Sequence, residues 1–160
     1  MAEPIPFRPT SDVCDDHDDA GIVAEQFVSL GGAPHAAGRA STVKAHEDNS
    51  MVKEAVAEPG EGRVLVIDGG GSMRRSMVGG NVAAEAASNG WAAIIVHGAV
   101  RDTVELRDTA IAVFALGTVP RKTEKHGVGQ RDIPITIGGV TISPGDAVYA
   151  DPDGVVVVSA

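Results

Sequence analysis

The stretch that decides the fold is GGNVAAEAASNGWAAIIVHGAV, residues 79–100. Good helix formers run from Val82 to Ser88, Asn81 can cap the helix, and Asn89-Gly90 supplies a left-handed stop. The second half of the stretch, WAAIIVHGAV, is an apolar run of the length of a buried strand. The stretch therefore predicts a helix that leads directly into a buried strand.

Buried strands are also predicted on both sides of this stretch. Arg63 to Ile67 is a short β-branched run that stops at Asp68 and three glycines, and IAVFALG, residues 111–117, is a third apolar run. Strand, helix and strand in this order predict a parallel pair joined by a right-handed crossover. Further upstream, a strand is expected near Gly38 to Val43 and a helix near Asn49 to Ala57.

The two ends of the chain differ from this middle part. Residues 1–10, MAEPIPFRPT, hold three prolines and predict an irregular arm, after which Ser11 or Asp12 can cap a helix. From Ile133 onward, short apolar runs alternate with Gly-Gly, Pro-Gly-Asp and Asp-Pro-Asp-Gly, which are turn signatures between antiparallel strands. With neither a repeat nor a linker in view, we predict a single α/β domain over residues 1–160.

Composition limits the function. The chain has 160 residues, 43% of them hydrophobic and only 3% aromatic, so its core must be built from aliphatic side chains. A net charge of −9 without a long block of Lys and Arg argues against direct binding of nucleic acid. No apolar run approaches the roughly 20 residues that span a bilayer. The lone cysteine, Cys14, and the lack of a secretion signal lead us to expect a cytoplasmic protein.

Three motifs invite a functional interpretation but fit a plainer one better. The glycine loop Asp68 to Ser72 lacks the spacing of a dinucleotide fingerprint or a P-loop, and it only faintly resembles the acidic-glycine loop of S-adenosylmethionine-dependent methyltransferases. The acidic stretch Asp12 to Asp19 lacks the EF-hand pattern, which favours a solvated helix start over a metal site. Cys14 has no visible activating partner, so a structural thiol is favoured.

A charged cluster, RDTVELRD, follows the strand that ends near Val100. In open α/β sheets, ligands bind just beyond the carboxyl ends of the strands, which is where Arg101 and Asp102 fall. The helix that begins near Asn81 should present free backbone N–H groups at the same edge, and two bare glycines precede it. A guanidinium suits a carboxylate ligand. An anion site and a surface cluster of ion pairs are both open interpretations.

A metal is the second element of the site interpretation. Asp102 and Glu105 carry hard oxygen atoms that could hold Mg²⁺ or Mn²⁺ together with water. The histidines outside the acidic stretch show no metal-ligand spacing. The sequence therefore points to an oxygen-rich site beside Arg101.

These segments resemble the RraA-like family, which includes regulators of ribonuclease activity A and 4-hydroxy-4-methyl-2-oxoglutarate aldolases. The resemblance rests on GGNVAAEAASNGW, HGAVRDTVE, FALGTVPRK and GGVTISPGDAVYADPDGVVVV, and it extends from about Asp12 to Val158. Its most specific motif is a glycine, twenty residues, Arg-Asp, two residues and an acid. Gly80, Arg101-Asp102 and Glu105 satisfy this motif in full.

The resemblance implies a three-layer β/β/α swivelling-domain fold with mixed sheets, and a homotrimer with active sites at subunit interfaces. It also implies a class II aldolase that uses a divalent metal, Mg²⁺ or Mn²⁺. The pairs Arg107-Asp108 and Arg131-Asp132 lie outside the spacing of the motif. Carried over to this sequence, Gly79, Gly80, Asn81 and Val82 form a substrate cradle, Arg101 binds substrate, Asp102 binds the metal, and Glu105 supports the metal through water.

The implied reaction cleaves 4-hydroxy-4-methyl-2-oxoglutarate to pyruvate through an enolate that the metal would hold, and oxaloacetate decarboxylation would pass through the same enolate. Arg101 would add positive charge where the enolate develops. The base that deprotonates the 4-hydroxyl is not identified; a metal-activated water or a carboxylate of another subunit would serve. The family also implies two alternatives: a non-catalytic regulator that binds and inhibits ribonuclease E, and an older label, demethylmenaquinone methyltransferase.

Overall fold

The computed structural model describes residues 3–160, and its core is one large mixed sheet. The helices are α1 (Thr10–Asp16), α2 (Ser50–Val56), α3 (Gly80–Ser88) and α4 (Thr103–Arg107). The strands are β1 (Gly21–Ile22), β2 (Val28–Ser29), β3 (Ala36–Lys44), β4 (Val64–Asp68), β5 (Ser76–Val78), β6 (Ala93–Val100), β7 (Ala112–Thr118), β8 (Gln130–Arg131), β9 (Ile135–Ile137), β10 (Val140–Ile142), β11 (Ala147–Asp151) and β12 (Gly154–Val158).

The sheet has the strand order β1-β12-β11-β3-β4-β6-β7-β2, with β5 beside β6 and β8 beside β3. Strands β3, β4, β6 and β7 are parallel, so the predicted strand, helix and strand unit is present. Antiparallel strands extend both sides of this parallel centre. All the parallel strands therefore end at one edge of the sheet, where the charged cluster follows β6.

The sheet buries both of its faces, because side chains of a strand alternate between them. Leu65 and Ile67 of β4 point to the face that α2 and α3 cover. Their neighbours Val64 and Val66 point to the other face, where the β9–β10 hairpin packs together with β11 and β12. The resulting order of helices, central sheet and second β layer is the predicted three-layer α/β fold.

Two predicted helix caps are wrong. Helix α1 begins at Thr10, and its backbone N–H donates to the carboxylate of Asp151 at 2.9 Å, so neither Ser11 nor Asp12 caps it. Helix α3 begins at Gly80 with Gly79 as its N-cap, which places Asn81 inside the first turn. In both helices a carboxylate from a distant element replaces the local cap.

The remaining segments follow the sequence closely. Residues 3–9 have no regular secondary structure, as an irregular arm would, and residues 1–2 lie outside the described part. Helix α3 stops at Asn89-Gly90, where Gly90 has a φ of 84°. The glycines at 138 and 139 join β9 to β10, with φ values of 54° and 78°. The longest helix among residues 3–160 has nine residues, and none is long and apolar enough to cross a membrane.

Candidate active site at the carboxyl edge of the parallel strands

Pairing between β5 and β6 brings the glycines at the start of α3 next to the Arg101-Asp102 pair. Val78 pairs with Val100, and the N–H of Arg101 donates to the carbonyl of Val78 at 3.0 Å. The Gly79-Gly80 segment therefore runs beside Arg101 and Asp102, although about twenty residues separate them in the sequence. Strand β5, which the sequence did not predict, is the element that creates this contact.

Asp102 connects the two segments directly. Its Oδ2 accepts a hydrogen bond of 2.8 Å from the N–H of Gly80, the first residue of α3. A carboxylate at this position is favoured by the partial positive charge of the helix N-terminus. The backbone of Asp102 is left-handed, with φ 63° and ψ 48°, a conformation that costs an aspartate on the order of 1 kcal/mol. Such strain is typical of residues that a functional site holds in place.

The two glycines are required because carboxylates lie against their backbone. A Cβ on Gly79 would come within 2.8 Å of Oδ2 of Asp102, and a Cβ on Gly80 would overlap Oε2 of Glu105. Any side chain at either position would displace one of the two acids. The structure therefore places Glu105 beside Asp102 at the start of α3, where the sequence interpretation expects both acids.

Arg101 lies at the mouth of the site. Its Nη1 donates to the carbonyl of Pro120 at 3.2 Å, and its Nε lies 3.9 Å from Oδ2 of Asp102. The side chain keeps 37% of its surface exposed, so the guanidinium is accessible to a ligand. Contact with Pro120 fixes the arginine between the strand end and the loop that follows β7.

A cavity of about 100 Å³ opens beside these residues. All four residues of the expected cradle and the Arg101-Asp102 pair line it, whereas Glu105 is not among its lining residues. The other lining residues are Asn49, Lys53, Ser76, Lys122 and Lys125. The pocket thus combines four cationic side chains with a single carboxylate, which suits an anionic ligand.

The sequence interpretation missed the three lysines of the pocket. Lys53 comes from α2, while Lys122 and Lys125 come from the loop after β7, so no basic run announces them. The rule that pointed to Arg101 at the end of β6 applies equally to the end of β7, where VPRKTEK begins one residue after Thr118. Applied to the ends of both β6 and β7, the same rule predicts Lys122 and Lys125 at the site, but not Lys53.

The cations of the pocket affect one another. The pKa of the Lys125 ammonium is lowered, first by partial desolvation and then by the positive charges of Lys53, Lys122 and Arg101. The carboxylate of Asp48 acts in the opposite direction. An anion in the pocket would relieve this repulsion between like charges.

The acids of the site suit only a particular kind of metal centre. Within residues 3–160, no group of three or more His, Cys, Asp or Glu side chains is arranged to hold a metal. Asp102 and Glu105 offer two carboxylates, which fits Mg²⁺ or Mn²⁺ because such ions keep several waters and take further oxygens from the substrate. A closed tetrahedral zinc site does not fit this donor set.

The glycine loop is a tight turn with no donor left for a ligand. The N–H groups of Gly69 and Gly71 both donate to the carbonyl of His97, at 3.1 Å and 3.0 Å. The N–H of Gly70 donates to the carboxylate of Asp68 at 2.9 Å. A phosphate or a nucleoside would have to compete with all three of these bonds.

The other charged motifs lie outside the pocket. Arg131 forms a two-pronged ion pair with Glu58 at 2.8 Å and 2.9 Å, which raises the pKa of the guanidinium and ties β8 to the end of α2. Arg107 and Asp108 lie at the end of α4, away from the pocket lining. Asp16, from the acidic stretch, pairs with Arg8.

Two remaining single residues also lie outside the pocket. His97 is mostly buried and bonds to Glu25 through Nε2 at 3.0 Å. Cys14 is a half-buried free thiol on α1.

Fold and site together define a three-layer α/β protein with a cation-lined pocket at the start of a helix that begins with glycine. The family model of RraA-like proteins, described as Aldolase/RraA, matches residues 10–157. The chain therefore belongs to the RraA-like family.

Relatives and solved structures cover nearly the whole chain. A protein of Burkholderia multivorans and one of Alkalilimnicola ehrlichii, both named provisionally as 4-hydroxy-4-methyl-2-oxoglutarate aldolases, are each 50% identical; the matches cover 92% and 93% of this chain and 94% and 93% of theirs. The RNA-processing inhibitor RraA from Thermus thermophilis is 41% identical with a TM-score of 0.92, over 96% of this chain and 93% of that one. A Geobacillus kaustophilus structure described as an S-adenosylmethionine:2-dimethylmenaquinone methyltransferase is 42% identical with a TM-score of 0.93, over 95% of both.

Proposed function

We propose that this protein is a class II aldolase that cleaves 4-hydroxy-4-methyl-2-oxoglutarate to pyruvate and also decarboxylates oxaloacetate. The observation that carries the proposal is the pocket in which Arg101 and the start of α3 meet, with Asp102 bonded to Gly80 between them. The names of the relatives at about 50% identity support the choice of substrate. Both substrates are 2-oxo acids with two carboxylates.

The pocket has a binding group for each carboxylate. Ala83 is the first residue of α3 whose N–H bonds within the helix, to Gly79 at 3.1 Å, so the N–H groups of Asn81 and Val82 remain for a ligand. Together with Arg101 they would bind the carboxylate next to the 2-oxo group. The three lysines would bind the distal carboxylate. This division accounts for the excess of positive charge in the pocket.

As the 4-hydroxyl loses its proton and becomes the carbonyl of one pyruvate, the bond between C3 and C4 breaks. Its electron pair stays on C3 as the enolate of a second pyruvate, which a proton added at C3 completes; from oxaloacetate the same enolate forms as CO2 leaves. A divalent metal held by Asp102, with Glu105 acting through water, would supply Lewis acidity for the enolate oxygen. The guanidinium of Arg101 adds positive charge beside the same oxygen. The hydrogen bond from the N–H of Gly80 keeps the Asp102 carboxylate oriented.

Removal of the 4-hydroxyl proton requires a base. Among the described residues that line the pocket, Asp102 is the single carboxylate, and its hydrogen bond to Gly80 commits it to orientation. We therefore expect the base to be a water molecule or a carboxylate of a neighbouring subunit in a homotrimer. We propose that the reaction takes place in the cytoplasm, because a chain with a single cysteine cannot form the internal disulfides that are typical of oxidising compartments.

An activity assay tests the proposal. Purified protein is assayed for oxaloacetate decarboxylation and for cleavage of 4-hydroxy-4-methyl-2-oxoglutarate with Mg²⁺ or Mn²⁺, with and without chelator. We expect Asp102→Asn to lower kcat/KM at least about a hundredfold. Asp108→Asn, in the pair outside the pocket, is the matched control and should change it less than twofold. Activity that ignores both the chelator and Asp102→Asn would refute the site.

A regulatory role is the second candidate, supported by the fold match to the RNA-processing inhibitor RraA. A more distant match is RraAS2 of Streptomyces coelicolor, which is 27% identical with a TM-score of 0.74 and is described as a member of the RNase ES inhibitor RraA family. Binding of a ribonuclease E scaffold segment, measured by calorimetry, tests this role. A protein that binds the segment but shows no lyase activity would support regulation alone.

A methyltransferase role is suggested by the name given to the Geobacillus kaustophilus protein, by the older family label and by the faint resemblance of the glycine loop. The glycine loop argues against it, because its three N–H groups are already bonded within the protein. We expect no binding of S-adenosylmethionine in equilibrium dialysis. Binding at micromolar concentration would reverse this preference.

A further inference from the structure

The loop of residues 119–129, here called the basic loop, carries two of the three pocket lysines. It follows β7 and has no helix or strand of its own that could fix its shape. On the pocket side, its backbone is held at Pro120 by Arg101 and at Arg121 by the N–H of Ser76, at 2.7 Å. The backbone of Lys122 is held by a bridge to Ser76 and by a bond of 3.1 Å from Arg75 to its carbonyl, so it is chiefly the position of Lys125 that depends on what anchors the rest of the loop.

The anchor is a buried polar cluster on the side of the loop away from solvent. Thr123 is 1% exposed, and its hydroxyl accepts from the N–H of Asn49 at 3.2 Å and donates to Oδ1 of Asn49 at 2.9 Å. Asn49 is in turn fixed by a bond of 3.2 Å from its side-chain amide to the carbonyl of Met77 in β5. The loop is thus tied through one threonine hydroxyl to the strand that leads into Gly79.

Asp48 holds the far end of the same loop. It is 4% exposed, and its Oδ2 accepts from the N–H groups of His126 and Val128 at 2.7 Å and 3.3 Å. Its Oδ1 accepts from the N–H and the hydroxyl of Ser50. The segment from Thr123 to Val128, which contains Lys125, is therefore fixed at both ends by side chains from the start of α2.

We propose that Asp48, Asn49 and Thr123 form a clamp that positions Lys125, supports the neighbouring Lys122, and thereby sets the affinity of the pocket for the second carboxylate of its substrate. This inference rests on the proposed function, because it assigns the lysines to a dicarboxylate. The clamp residues Asp48 and Thr123 are positioning residues, since they do not line the pocket themselves. Arg101 and the start of α3, which would bind the other carboxylate, have anchors outside this clamp: the N–H of Arg101 donates to Val78 and the N–H of Gly80 donates to Asp102.

The test compares Thr123→Val, which removes the hydroxyl at nearly constant volume, with Thr123→Ser, which keeps it. We expect Thr123→Val to raise KM for oxaloacetate about tenfold with kcat changed less than threefold, because a lost buried hydrogen bond lets the loop shift. Thr123→Ser should restore KM to within about threefold of the wild type. Asp48→Asn, which weakens the other anchor, should raise KM in the same direction.

Thr42→Val is the matched control. Thr42 is also a buried threonine, and its hydroxyl donates to the carbonyl of Ile133 at 2.6 Å, away from the basic loop. The two valine variants should lose similar stability, but Thr42→Val should leave KM within twofold. Equal KM values for Thr123→Val and wild type, or an equal rise in Thr42→Val, would overturn the clamp.

Calorimetric binding of succinate, a dicarboxylate that cannot react, separates this inference from the proposed function. If the wild type binds succinate without lyase activity, and Thr123→Val weakens binding about tenfold, the proposed catalysis fails and the clamp stands. If the wild type is active and Thr123→Val changes neither KM nor succinate affinity, the clamp fails and the proposed function stands. A wild type that neither reacts nor binds succinate overturns both.

Discussion

At the residue scale, Gly80 shows how closely backbone and acids are fitted in the site. A Cβ there would overlap the carboxylate of Glu105, which can swing away, and would come within 3.2 Å of the Cβ of Glu105, which needs a shift of only a few tenths of an ångström. Gly80→Ala should therefore change the melting temperature by only a few degrees but displace Glu105 from the position at which we propose that it supports the metal. We expect kcat to fall at least about tenfold.

Gly117→Ala is the control for this prediction. Its added Cβ would meet the flexible end of a side chain, the methyl group of Met73, and Gly117 is not a lining residue of the pocket. Lyase assays and thermal unfolding of both variants provide the measurement. A loss of kcat in Gly117→Ala as large as in Gly80→Ala would show that the effect is not specific to Glu105.

Asp48 gives a pH-dependent prediction for stability. Burial alone would raise the pKa of this carboxyl, but hydrogen bonds from Ser50, His126 and Val128 outweigh burial and lower the pKa to about 2 from an ordinary value of 3.8. Because the folded-state pKa is depressed, the stabilisation is complete above the ordinary pKa and is lost as the pH falls from about 4 toward 2. Its size is about 2 kcal/mol.

Urea unfolding of the wild type and of Asp48→Asn at pH 7 and pH 3 tests whether the stabilisation by Asp48 is lost as the pH falls. The difference in the free energy of unfolding between the two proteins should be larger at pH 7 and should shrink at pH 3. The comparison isolates Asp48, since all other carboxylates are present in both proteins. A difference that grows toward low pH would contradict the hydrogen bonds described for this carboxylate.

At the element scale, the basic loop makes ligand binding depend on pH. The pKa of Lys125 is lowered by desolvation and by its cationic neighbours Lys53, Lys122 and Arg101, against the opposing charge of Asp48. Only the protonated ammonium attracts a carboxylate, so affinity is full below the lowered pKa and falls as the pH rises through it. As the pH rises, succinate affinity should therefore begin to fall before the pH reaches 10.5, the ordinary pKa of lysine.

Calorimetric titrations with succinate between pH 7 and pH 10 measure this effect. Lys125→Met should bind more weakly at pH 7 and show a flatter pH dependence than the wild type. Lys44→Met, at the exposed end of β3 and outside the pocket lining, should keep the wild-type profile. An unchanged pH profile in Lys125→Met would remove Lys125 from the binding site.

The elements also show why the sequence predicts part of the structure. Long strands such as β6 are predictable from the sequence, because a strand buried on both faces of a parallel sheet is a continuous apolar run. Strand β5 and helix α4 have three and five residues, too few for any periodicity to appear. The true partners of the α1 and α3 N-termini, Asp151 and Asp102, come from other elements, so no local pattern could reveal them.

Site residues divide in the same way. Arg101 and Asp102 were accessible to sequence reasoning because they follow a recognisable strand. Lys53 was not, because it reaches the pocket from α2 only through tertiary packing. The metal was an expectation from the two acids and from the family resemblance, the exact chemistry from the resemblance alone, and both remain predictions that assays must test.

At the scale of the whole molecule, the pocket is open in a single chain. Arg101 and Asp102 each keep 37% of their side-chain surface exposed, and Val104, in the helix that follows them, is 73% exposed. An exposed apolar side chain next to an open site fits the homotrimer that we propose, with its active sites at subunit interfaces.

Sedimentation velocity tests this arrangement. We expect the wild type to sediment as a trimer and Val104→Lys to dissociate with loss of lyase activity, because a buried charge without a partner opposes association. Glu85→Lys, on the exposed side of α3, introduces the same residue on another surface and is the control. A monomeric wild type with full activity would contradict an interfacial site.

The hydrogen bond between Gly80 and Asp102 also explains the number twenty in the family motif. Between Gly80 and Arg101 the chain completes α3, turns at residues 89–92 and runs the length of β6. The spacing of twenty residues is therefore the length of chain that one helix, one turn and one returning strand need to bring Asp102 back to Gly80. Residues within that loop can be exchanged as long as helix and strand survive, but an insertion or deletion would pull the glycine and the acid out of reach.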